Sequence, residues 1–93
     1  MTKTMREQAE ITRLETLIAD KAAPVFKRTR ARGALDAILT AARVDSSAPG
    51  NGQATVRRRI AALDLAIKHS WGQNLYLQGM RQGLVSYGNI WGY

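Results

Sequence analysis

Residues 71–93, reading WGQNLYLQGMRQGLVSYGNIWGY, place the tightest constraint on the fold. They hold both tryptophans, all three tyrosines and five of the eight glycines, with Arg81 as the one charge. At 100° per residue Tyr76, Leu77, Met80, Leu84, Tyr87 and Trp91 share one side, and Gln78, Gln82, Ser86 and Asn89 the other. That is the pattern of an amphipathic helix. Gly79, Gly83 and Gly88 lie inside it, and each disfavours the helix by about 0.8–1 kcal/mol relative to alanine. Such a helix needs a surface to pack on. The spacings Gly79-x-x-x-Gly83 and Gly88-x-x-x-Gly92 allow helix backbones to approach closely. Tyrosine and tryptophan also dominate contact energies at interfaces. The expected protein-interface residues are therefore Tyr76, Leu77, Met80, Leu84, Tyr87, Trp91 and Tyr93. The alternative use of this stripe is to close the chain's own core.

Three helices are expected ahead of it, over residues 4–23, 24–44 and 54–71. The first opens with Thr4-Met5-Arg6-Glu7, the spacing of a capping box, continues through Ile11, Leu14 and Ile18, and stops at Pro24. In the second, Ala31, Leu35, Ile38, Leu39 and Ala42 share a face. Residues 45–53, DSSAPGNGQ, read as a loop, since no alternating apolar pattern flanks Asn51-Gly52 to make it a hairpin. The third helix carries Val56, Ile60, Leu63, Ile67 and Trp71 at spacings of four, three, four and four, with Asp64 and Lys68 placed to pair and Gly72 to stop it. The fold class expected is all-α: one small unit of about three helices plus a glycine- and aromatic-rich tail, 72–93, helical or partly extended.

A chain of 93 residues has room for one modest core, and with no cysteine it has neither disulfides nor zinc–thiolate sites to support it. Fourteen Lys and Arg against seven Asp and Glu give a net charge of +7, which favours a polyanionic partner. Lys27, Arg28, Arg30 and Arg32 crowd the start of the second helix and Arg57, Arg58 and Arg59 the start of the third, where the helix dipole disfavours cations. A purely structural helix gains nothing from that placement. These seven residues are the expected contacts to DNA, RNA or an acidic protein. On antiparallel helices they would form two patches, suited to sequence-independent attraction to phosphates.

Other functions find little support. His69 is the only histidine, so no metal site is expected, and neither a catalytic triad nor a phosphate-cradling glycine loop is present. We expect no catalytic residues and no cofactor. No apolar run reaches the 18 or more residues of a membrane span, and the polar start MTKTMREQAE is unlike a signal peptide.

The ending RQGLVSYGNIWGY, after alanine- and arginine-rich helices, resembles in texture the small structural and internal virion proteins of tailed bacteriophages. The resemblance covers residues 71–93 and carries over no functional residue. It implies a non-enzymatic assembly subunit, in a virion or the host cytoplasm, whose aromatic tail docks on other subunits of a homo- or hetero-oligomer. The alternative expectation is a sequence-nonspecific nucleic-acid-binding protein.

Overall fold

The computed structural model describes residues 2–47, 52–71 and 74–93. These form four helices: α1, Lys3–Ala19; α2, Val25–Ser47; α3, Gly52–His69; and α4, Leu75–Trp91. The all-α class holds, and the expected tail is a full helix. Its stripe is buried on the rest of the chain, which supplies the surface that a glycine-rich helix requires.

The seam between α2 and α4 organises the molecule. A Cβ added to Gly79 would lie 2.7 Å from the carbonyl carbon of Arg30, and one on Gly83 would lie 2.7 Å from the Cα of Ala34. Both contacts are backbone against side-chain position, so α4 can approach α2 only because these residues are glycines. Gly33 answers from α2, where a Cβ would lie 3.0 Å from the Met80 nitrogen. Residue numbers rise together along the seam, so α2 and α4 run parallel. Arg81 pairs with Asp64, and Val56 lies beside Gly88, so α3 runs antiparallel to α4. The Arg28 Nε donates to the Ile18 carbonyl at 3.0 Å, fastening the end of α1 to the start of α2. Helices α1 and α3 flank the central pair and do not pack on each other. The result is a slab whose Cα atoms span 36 × 31 × 18 Å.

The core follows from that thinness. Ala31, Ala34, Ala37, Ile38 and Ala41 of α2 meet Leu84 and Tyr87 of α4, with Leu14, Val56 and Leu63 closing the flanks. Small side chains on α2 draw the helices together, and the large ones of α4 fill the remaining space.

Several boundaries differ from the sequence reading. Helix α1 is capped by Thr2, whose hydroxyl accepts from the Met5 N–H at 3.1 Å, which leaves Glu7 free for another role. It ends at Ala19, short of Pro24, because Asp20 turns extended and accepts from the Ala22 N–H. Helix α2 continues through Asp45 to Ser47 and α3 begins at Gly52, so the expected 45–53 loop is shorter at both ends. Its remainder, 48–51, and the expected stop at Gly72 lie outside the described residues. Asp64 pairs with Arg81 across helices instead of with Lys68.

Candidate functional site

Of the seven expected basic contacts, Lys27, Arg30, Arg32, Arg57 and Arg58 are exposed, while Arg28 and Arg59 are half-buried. Arg28 is held by its bond to the Ile18 carbonyl, and Arg30 lies 5.9 Å from the centre of the Phe26 ring. Among the described residues the ion pairs are Arg13–Glu10 and Arg81–Asp64, so neither basic cluster is neutralised by a carboxylate. One part of the sequence reading needs correction. Because α3 starts at Gly52, Arg57, Arg58 and Arg59 sit in its second turn, where the dipole's influence has largely faded. Lys27 and Arg28 remain in the first turn of α2.

The two clusters are offset along the helix axes. Ala34 lies level with Gly83, and Val56 with Gly88, so Arg58 stands level with the middle of α2. At 1.5 Å per residue this puts Arg58 roughly 11 Å along the axis from Arg30.

The seven expected interface residues are placed differently. Leu84 and Tyr87 are each 1% exposed, and Leu77, Met80, Trp91 and Tyr93 are half-buried and pack against the core. Tyr76 is half-buried, its hydroxyl donating to the Asp36 carboxylate at 2.5 Å. As folded, this stripe is therefore not a free docking face. The reason is the small-residue surface of α2, which gives it an intramolecular partner.

At the end of α4 the aromatic residues converge on two acids that sequence reasoning left as loop and capping residues. Tyr87 and Tyr93 both donate their hydroxyls to Asp45 Oδ2, each at 2.5 Å. The indole Nε1 of Trp91 donates to Glu7 at 3.1 Å. The Tyr87 ring lies 6.2 Å from that of Trp91 and 5.9 Å, edge-on, from that of Tyr93. Local backbone geometry makes this possible. Gly92 is left-handed, with φ 77°, and the Tyr93 N–H returns to the Gly88 carbonyl at 2.8 Å, the six-to-one bond of a Schellman ending. The last residue is thus turned back toward α2.

These contacts shift the phenols. Burial, reinforced by Asp45, pushes the Tyr87 hydroxyl far above its usual range. The hydrogen bond to Asp45 holds Tyr93 up at about 12, and that to Asp36 raises Tyr76. In each case the carboxylate accepts a hydrogen bond from the protonated phenol, so ionising the phenol would set two anions side by side. No sequence spacing announces these pairs, since Asp45 lies 42 and 48 residues from its partners. The only available signal was that a strongly basic chain keeps few acids.

Among the described residues no helix is long and apolar enough to cross a membrane. Compared with protein-family models, with curated proteins and with solved structures, the chain matches none of them.

Proposed function

We propose that this chain is a non-enzymatic helical subunit that holds nucleic acid by sequence-independent contact through its two basic clusters. The observation that carries the reading is that Lys27, Arg30, Arg32, Arg57 and Arg58 stand exposed with no carboxylate partner among the described residues, while the aromatic stripe is packed on or against the core. Exposed cations of this kind are well suited to phosphates, because contact displaces condensed counterions and gains free energy without base readout.

Fluorescence anisotropy of a labelled DNA duplex, repeated across salt concentrations, tests this. Binding should weaken with salt at a slope near −0.9 per phosphate contacted. Changing Arg57, Arg58 and Arg59 together to glutamine should flatten the slope. So should changing Lys27, Arg30 and Arg32, with Arg28 left in place because it fastens α1. Absence of binding at about 50 mM salt, where phosphate-driven affinity is strong, refutes the reading.

A virion-associated assembly subunit is the second reading. It is favoured by large apolar side chains left in solvent, among them Trp71, 90% exposed, Val25, 73%, and Leu65, 58%. Docking would then use these residues in place of the α4 stripe. Sedimentation of the wild type against a Leu65→Ser, Trp71→Ser variant distinguishes the two. A monomer at all accessible concentrations removes self-assembly through this surface.

A further inference from the structure

The junction of α1, α2 and α4 encloses more than a set of hydrogen bonds. An open cleft of about 450 Å³ lies there, and its lining includes Thr4, Glu7, Asp45, Tyr87, Trp91 and Tyr93. Two half-buried aromatic rings, Trp91 and Tyr93, and two carboxylates thus share one concavity on a chain whose net charge is +7, while Tyr87, 1% exposed, offers the cleft almost no surface. Glu7 and Asp45 bring two carboxylates to its wall, and both disfavour ionisation of Tyr87 and Tyr93. The Lys3 ammonium reaches the Trp91 carbonyl at 3.4 Å, outside the lining.

We propose that this cleft binds a quaternary ammonium group. The volume lies within the range of small-ligand sites, and aromatic rings attract cations through their quadrupole, tryptophan most strongly. The carboxylates are partly engaged, which favours a cation that asks no hydrogen bond of them. Asp45 Oδ2 already accepts two phenol hydroxyls, and one Glu7 oxygen accepts the indole N–H. A primary ammonium brings three N–H donors that need acceptors, and a guanidinium brings five. A quaternary ammonium brings none, and requires only negative potential and polarisable walls. The same headgroup can arrive on a free choline-type molecule or on a trimethyllysine side chain.

The test uses full-length protein carrying Trp71→Phe, which removes an exposed indole and leaves Trp91 as the sole tryptophan reporter. Choline chloride is titrated against sodium chloride at matched ionic strength, with ethanolamine as the primary-amine control. A saturable change in Trp91 emission with choline, and weaker binding of ethanolamine, is the expected result. Glu7→Gln and Asp45→Asn keep an acceptor for each existing hydrogen bond while removing charge, so the fold is retained and choline binding should weaken. Tyr93→Leu should weaken it by about 3- to 30-fold, the scale of a lost cation–π contact. A trimethyllysine peptide that binds more tightly than choline assigns the ligand to a protein, and one that binds no better assigns it to the free molecule. A choline response matching that of sodium chloride overturns the proposal. So does ethanolamine binding as well as choline, or both charge-neutral variants binding choline like the parent.

Discussion

Replacing Gly79 by alanine should destabilise this protein, although the same change in an ordinary helix stabilises it. Two effects oppose each other. Alanine favours the helical state by about 0.8–1 kcal/mol. Against that, the new Cβ would lie 2.7 Å from the Arg30 carbonyl carbon, about 0.7 Å inside the 3.4 Å at which ordinary contact begins. The obstacle is backbone, so no rotamer change relieves it, and α2 and α4 must part along their seam. Overpacking typically costs about 1–3 kcal/mol, and a rigid obstacle places this case near the upper figure. The net loss is about 2 kcal/mol. For a domain of this size that is roughly an 8–16 °C fall in Tm. Gly88→Ala is the matched control in the same helix. There the nearest atom to a new Cβ is 3.7 Å away and the φ is not left-handed, so the propensity gain stands alone and Tm should rise by roughly 3–8 °C. Thermal unfolding followed by circular dichroism at 222 nm measures both. With total stability of about 5–14 kcal/mol expected for this length, the weakened variant still has a measurable transition. A Gly79→Ala protein as stable as the parent would refute the backbone-to-backbone seam, and a fall in both variants would refute the argument from space.

Other perturbations probe the flanks and the aromatic end. Leu14 is the one fully buried residue of α1, so Leu14→Ala should cost about 2–5 kcal/mol, with amide exchange rising in α1 more than in α2. Arg81→Ala removes an ion pair whose side chains are 43% and 52% exposed, and it should change stability by no more than about 1 kcal/mol in chemical denaturation. Phenol absorbance at 295 nm should show Tyr93 titrating near 12, falling toward 10 in Asp45→Asn as the neighbouring charge is lost. The sign of the accompanying stability change is fixed by linkage. Tyr93's folded value lies above its unfolded one, so its contribution is intact below about pH 10 and is lost as pH rises toward 12. The fall in stability between about pH 10 and 12 should therefore be shallower in Asp45→Asn, which lacks Tyr93's contribution already at neutral pH.

The helices were legible in the sequence because periodicity reports directly on which side of a segment is buried. The partner of a buried side is a different kind of information. The stripe of α4 announced that something must cover it, and the Gly79, Gly83 spacing announced a close approach, yet neither names the covering surface. That surface was also written in the sequence, as Ala31, Gly33, Ala34, Ala37 and Ala41, a run of small residues at helical spacing that fits glycines on a facing helix. Small residues at that spacing are common in alanine-rich helices, so by themselves they do not name α4 as the partner. The capping box at Thr4 was a similar near miss. Thr2 supplies the cap, and the glutamate that spacing assigned to it serves Trp91, 84 residues away.

The position of α4 changes what the rest of the chain is free to do. A docking tail and a core helix make opposite demands on one stripe: exposure serves the first and burial the second. Burying Leu84 and Tyr87 satisfies the core and withdraws the middle of the stripe from solvent, so the surface left for other molecules is what packing leaves over. Those are the basic clusters, scattered apolar side chains such as Trp71, and the cleft at the end of α4. Of the clustered basic residues, Arg28 fastens α1, Arg30 lies over the Phe26 ring and Arg59 is half-buried, and among the described residues none has a carboxylate partner. Folding would therefore tolerate the loss of Arg57 and Arg58 together with little change, since neither is buried or hydrogen-bonded among the described residues. If the double substitution to glutamine left Tm within about 2 °C of the parent while reducing the affinity for DNA, the cations would be serving a partner; a large fall in Tm would instead assign them to the fold.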